Sequence, residues 1–303
     1  MQNTSVLWSL IMKRNLHLLI IDPQNDFCDL PPGYRPENPA TRTAHAPALP
    51  VPGAHQDMLR LAGLINRGRQ GLSAISVTLD AHHRFDIAHP GFWAGPDGAP
   101  VAPFTQIAAA DVRAARYLPR NGATERALAY LDALEAAGRY RLMVWPVHCE
   151  IGSWGGCVHD DVRAAYNRWE EASLGVVGKL LKGSNPWTEH YSAVMAEVPD
   201  AADPATELNL AFLDSLAPAE QIYIAGEAGS HCVKASVEHI AGHFAERFGE
   251  AALARLALLT DCISPVAGFE PQYHDFLAAM QARGVQLVQS GEVLQELLRN
   301  AGR

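Results

Sequence analysis

Several side chains able to do chemistry stand at the ends of apolar runs. Asp22 closes LHLLIID and is followed by Pro23, Gln24, Asn25, Asp26 and Phe27. Asp80 closes LSAISVTLD, with His82 two residues on; His148 follows RLMVWP; Lys182 closes GVVGKLLK; Cys232 follows AGEAGSH. An unpaired carboxylate is expensive to bury. Asp22 therefore either caps a solvated loop or sits where its charge is used.

Cys232 follows a glycine-containing turn and opens a helical pattern, CVKASVEHI. A cysteine in the first helical turn meets unpaired N–H groups and the positive end of the helix dipole. Both favour the thiolate, which predicts a pKa below the ordinary value of about 8.5 and a nucleophile. The competing reading is a small buried hydrophobe. Cys28, Cys149, Cys157 and Cys262 lack this setting and read as structural. Lys182, if close to Cys232 and Asp22, holds thiolate and carboxylate together, and the carboxylate can then act as general base and acid. Otherwise it is a solvated edge charge. Lys179 competes for the role but lies inside the strand.

Asp80 and His82, one residue apart at a strand end, can converge on one point. Carboxylate and imidazole suit a divalent transition metal, with His148 as third ligand and His89 as a fourth. His83 points away if the strand geometry persists. Against this stands a plain histidine-rich loop in a chain with 13 histidines.

The elements that must position these residues alternate. Strands are predicted over 16–22, 72–80, 141–146, 175–182, 221–226, 256–263 and 285–289, several apolar without alternation, as in sheets covered on both faces. Helical spacing occupies 54–68, 123–137, 158–172, 206–216, 232–247, 271–283 and 291–300. The alternation predicts an α/β fold with a doubly wound, mostly parallel sheet, whose ligands bind beyond the carboxyl ends of the strands. All the reactive strand tips are then expected on one rim. Residues 1–15 read as an N-terminal extension and 16–303 as one domain. Long insertions are expected near 31–52 and 83–140, where Pro, Gly and Ala are frequent.

Composition narrows the partners. With 48% hydrophobic and 19% charged residues the chain is an ordinary globular one. A net charge of -9 argues against nucleic acid or an anionic membrane. No apolar run approaches the ~18 residues of a membrane span. Five scattered cysteines without a CxxC pair form no disulfide framework and fit a reducing cytoplasm.

Together the motifs resemble the isochorismatase-like cysteine hydrolases, nicotinamidase branch. IIDPQNDFC, LDAHH, WPVHC, KGSNPWTEHYSAV and AGEAGSHCVKAS match its segments in the same chain order, and the similarity continues through TDCISPV. The resemblance implies Cys232 as nucleophile, Asp22 as general base and Lys182 as its charged partner. It implies Asp80, His82 and His148 around one zinc, iron or manganese ion, with His89 as an additional ligand. Phe27 and Trp145 fall where relatives place aromatic walls. It further implies a cis peptide at Glu227–Ala228, an oxyanion hole from the N–H groups of Ala228 and Cys232, and a homo-oligomer. EIGSWGGCVHDD after His148, and Glu227 and Gly229 in the nucleophile turn, depart from the family pattern.

The implied activity is hydrolysis of a small carboxamide, nicotinamide first, to an acid and ammonia. The alternatives are a maleamate-, ureido- or carbamoyl-type amide, a metal-free isochorismatase-type hydrolase, and a non-catalytic scaffold.

Overall fold

The computed structural model describes residues 13–302; most of the 1–15 extension lies outside the described residues. Six strands form one parallel sheet: β1 (Leu16–Ile21), β2 (Ala74–Asp80), β3 (Gly178–Lys182), β4 (Gln221–Gly226), β5 (Leu256–Leu259) and β6 (Gln286–Val288). Their spatial order is β6-β5-β4-β1-β2-β3. Every residue of β1 and β4 is buried, which explains why both are mostly apolar without alternation. β1 pairs with β4 from Leu16↔Gln221 to Ile21↔Gly226, and with β2 from His17↔Ala74 to Ile20↔Val77. The chain runs outward from β1 on one side through β2 and β3. It then returns to β1's other side as β4. This reversal is the switch point of an open α/β sheet, where a crevice forms beyond the strand ends.

Helices flank the sheet, and their bounds follow the expected periodicity closely. Helices 54–68, 160–173 and 290–301 pack together, as do 232–248 and 270–282. Helix 210–216 starts later than its apolar pattern because Asn209 caps it, its side chain accepting from Phe212 N at 3.0 Å. Gly226 ends β4 at φ +118, and a Cβ there would meet the Ile21 carbonyl oxygen at 1.9 Å. Only glycine allows the chain to turn so close to β1.

One strand expectation is corrected. Leu142–Val144 is extended but lies outside the main sheet, pairing antiparallel with Thr105–Ile107. The place beside β2 is taken by β3, in register Ser76↔Gly178 to Asp80↔Lys182, and the 83–122 insertion supplies its own partner strand. The rim of the parallel sheet therefore carries Asp22, Asp80, Lys182 and the turn to Cys232, but His148 arrives from outside it.

Both insertions are built into the core. Ile87, Phe92, Trp93, Val101 and Ile107 are buried with the sheet residues. Segment 31–52 is irregular apart from a turn at Pro32–Tyr34. It is stapled down where Ala48 N donates to Asp26 Oδ1 (2.9 Å) and Val51 N to the Phe27 carbonyl (3.0 Å).

Candidate active site and metal-ligand cluster

Asp22 follows β1 directly, at φ +43, a left-handed conformation uncommon outside glycine that aspartate tolerates better than most. Its N–H is held by Thr78, 3.1 Å to Oγ1 and 3.2 Å to the carbonyl, and its Oδ1 accepts from Thr78 Oγ1 at 2.5 Å. The side chain is fully buried, and its Oδ2 faces the Lys182 ammonium at 2.9 Å. The same Nζ lies 2.9 Å from Asp80 Oδ1, 2.9 Å from the His190 carbonyl and 3.6 Å from Cys232 Sγ. One buried cation thus joins two carboxylates and a thiol. Lys179 is exposed, with its ammonium 5.2 Å from the Tyr166 ring, and takes no part.

Electrostatics follow from burial. Burial alone lowers the Lys182 ammonium, but Asp22 and Asp80 outweigh it and hold it well above the ordinary lysine range. Burial pushes the Asp22 carboxyl up, against the pull of Lys182. Cys232 does open helix 232–248, but burial pushes its thiol well above the ordinary range despite Lys182. The expectation of a depressed cysteine pKa is therefore corrected. The desolvated group rests as a thiol, so its proton must be taken by a base.

The turn before Cys232 contains the cis peptide Glu227–Ala228. Among the described residues, neither the Ala228 nor the Cys232 N–H donates to a protein acceptor. Glu227, one of the departures from the family pattern, is buried and anchors the turn from below. Its Oε2 accepts from Ser264 N (3.2 Å), Ser264 Oγ donates to Asp57 (2.6 Å), and Gly229 N donates to the Ser264 carbonyl (2.8 Å).

A histidine cluster faces Asp80. Donor nitrogens of His82, His89 and His148 lie within 4.8 Å of one another, all on buried residues. Asp80 Oδ2 is 3.0 Å from His82 Nε2 and 3.4 Å from His148 Nε2. Burial would raise Asp80, but His82 and Lys182 hold it well below the ordinary carboxylate range. Each imidazole is oriented by its other side: His82 Nδ1 by Asp86 Oδ2 (3.1 Å), His89 Nδ1 by the His83 carbonyl (3.1 Å), His148 Nδ1 by the Pro146 carbonyl (2.8 Å). Outer partners of this kind accompany metal-bound histidines. The donor set fits a divalent transition metal of the zinc type. His83 itself is exposed, as expected.

His148 reaches the cluster through loop contacts rather than a sheet strand. Cys149 N donates to Asp26 Oδ2 (2.7 Å), and His82 N donates to the Cys149 carbonyl (3.0 Å). The polar residues after Asp22 are thus framework. Gln24 ties the end of β1 to β2, donating to the Asp80 carbonyl (2.7 Å) and accepting from Asp80 N (2.7 Å).

Above Cys232 lies a small cavity. Phe27 and Trp145 line it, Phe27 with its ring 5.4 Å from His148 and Trp145 donating from Nε1 to Tyr191 OH at 3.0 Å. Ala228 and Cys232 are at its base, with Asp80 and His148 on one side. The sequence reading missed Leu49, Tyr191, Val266 and Glu189, which also line it. Glu189 is fully buried with Oε2 lacking any protein partner, and burial raises its carboxyl. Its position in KGSNPWTEHYSAV was the available signal, since a carboxylate seven residues beyond Lys182 shares that lysine's loop. Thr78 and Asp86 gave no signal, being ordinary strand and loop residues until tertiary structure placed them.

No protein-family profile matches the chain, and no curated protein matches it. Solved structures do. An Acinetobacter baumanii nicotinamidase/pyrazinamidase aligns with TM-score 0.56 and 17% identity over 92% of this chain and 98% of that one. The yeast nicotinamidase bound to the inhibitor nicotinaldehyde aligns with TM-score 0.57 and 17% identity, over 90% and 99%. The structure "PnC1 from L. infantum in complex with nicotinate" aligns with TM-score 0.51 and 18% identity, over 92% and 94%. With its parallel sheet, switch-point crevice and full-length alignment, this chain has the fold of the nicotinamidases.

Proposed function

We propose that the protein is a metal-containing cysteine amidohydrolase that cleaves a small carboxamide to its acid and ammonia, with nicotinamide the first candidate. The observation that carries this reading is the placement of Lys182 Nζ, 2.9 Å from both Asp22 and Asp80 and 3.6 Å from Cys232 Sγ, beneath an aromatic-walled cavity. The neighbours bound to nicotinaldehyde and nicotinate support the choice of ring.

In this reading Asp22 accepts the Cys232 proton as the thiolate attacks the amide carbonyl carbon, and Lys182 offsets the charge left on sulfur. The free N–H groups of Ala228 and Cys232 receive the oxyanion. Asp22 then delivers its proton to the departing ammonia, leaving a thioester. Asp22 next takes a proton from water, whose oxygen attacks the thioester. The acid leaves and the thiol is restored. Phe27 and Trp145 sandwich a planar ring and exclude bulk water. Asp80, His82 and His148 would hold a divalent metal, with His89 and Glu189 facing the same space; when bound, it supplies a Lewis-acidic partner for a substrate lone pair such as a ring nitrogen.

The test is ammonia release from nicotinamide, pyrazinamide and aliphatic amides, with elemental analysis of the purified protein. The expected outcome is about one transition-metal ion per chain and turnover that Cys232→Ala abolishes. Unchanged turnover in that variant would end the assignment of the nucleophile.

A further inference from the structure

A second, larger cavity adjoins the first, the two sharing Tyr191 and His231 as common walls. Arg139, Arg141 and Lys234 line it, together with Gln106 and Gln272, and no carboxylate does. In a chain of net charge -9 this is a local reversal of sign.

The cations are only partly neutralised from behind. Arg139 Nη2 lies 3.0 Å from Glu238 and Lys234 Nζ 3.1 Å from the same carboxylate, so two cations share one anion. Glu197 is the other acid at hand, 3.6 Å from Arg139. Burial raises its pKa to about 7, so near neutrality it supplies only part of a charge. Arg141 is exposed, and among the described residues no carboxylate pairs with it. Its guanidinium presents a free fork of donors, the geometry that takes a carboxylate or phosphate bidentately.

The wall between the cavities is aromatic. The His231 ring stacks on Tyr140 (6.1 Å, 24°) and meets Phe269 edge-on (4.7 Å) and Tyr191 (5.2 Å). His231 is held neutral, its pKa lowered to about 3 by burial and then by Lys234, so it separates the two compartments without adding charge.

We propose that the basic compartment binds an acidic group on the substrate, so that the physiological amide is a carboxamide carrying a carboxylate or phosphate beyond its reacting end. This rests on the amidohydrolase reading above and narrows its substrate class. Cys232 acts on the amide in the inner cavity, while Arg141, with Arg139 and Lys234, receives the anion in the outer one.

Steady-state ammonia release tests it on four probes: neutral nicotinamide, 5-carbamoylpyridine-3-carboxylate, succinamate and nicotinamide mononucleotide. At least one acidic amide is expected to exceed nicotinamide in kcat/KM by about tenfold or more, through KM, in line with one charge-assisted hydrogen bond. The carboxylate and phosphate probes distinguish the two anion types. Arg141→Ala should cut the acidic-to-neutral selectivity ratio about tenfold, Arg141→Lys should restore part of it, and added salt should lower it. Nicotinamide as the best substrate, or an Arg141→Ala effect equal on all four, overturns the proposal. Calorimetric titration with pyridine-3,5-dicarboxylate and with nicotinate separates this from failure of the hydrolase reading. Tighter dicarboxylate binding that Arg141→Ala removes upholds the compartment even if no amide turns over. Equal binding of the two acids sinks it.

Discussion

Lys182 is buried away from bulk solvent, and its charge in the core depends on Asp22 and Asp80 being ionised beside it. Removing one partner of a buried pair leaves the others uncompensated, at roughly 3–5 kcal/mol. Lys182→Met is therefore expected to abolish amide hydrolysis and to lower unfolding free energy by that order, read from urea titrations. Asp22 gives a pH prediction. Burial raises its carboxyl, so the acid limb of kcat/KM should lie above the ordinary aspartate value of about 4. The base is active when deprotonated, so rate is lost as pH falls through that limb. Thr78 donates to Asp22 Oδ1 and favours the ionised form. Thr78→Val should move the limb to higher pH, and a limb that stays in place would remove Thr78 from the mechanism.

At the scale of elements, the site is assembled from strand ends and two insertions that must be held against each other. Asp26 does much of this holding, with Oδ1 accepting from Ala48 N and Oδ2 from Cys149 N. The first bond fixes the segment that brings Leu49 to the cavity; the second fixes the loop that brings His148. Asp26→Ala leaves two N–H groups without their charged acceptor. It should cost about 3 kcal/mol and raise KM more than it lowers kcat, because pocket walls loosen while Lys182 and Cys232 stay on the sheet and helix. Residues 142–144 show how local pattern and pairing part ways. Their apolar run is right for a strand, but pairing is decided by which neighbour occupies the sheet edge, and residues 178–182 occupy it.

For the whole molecule, buried acids set a pH dependence of stability. Glu197 is raised from 4.5 to about 7 by burial, so between those values the unfolded chain has released the proton that the folded chain keeps. Stability is then lost as pH rises through that window and levels off above about 7. Glu197→Gln cannot ionise. Its melting temperature relative to the native protein should rise from pH 5 to pH 8, as scanning calorimetry at both pH values would report. A constant difference would mean that Arg139 already holds Glu197 ionised.

Local pattern is enough to read the alternation of strand and helix and to mark the polar residues that end the strands. Period and composition are local properties, and Asp22, Asp80, Lys182 and Cys232 are adjacent to elements that local pattern defines. Tertiary structure alone decided three things. It placed Thr78 and Glu189, which meet Asp22 and Tyr130 from distant parts of the chain. It sent residues 142–144 to the insertion rather than the sheet. It also reversed the expected state of Cys232, because a helix start favours the thiolate only while solvent or charge supports it, and full burial removes the solvent.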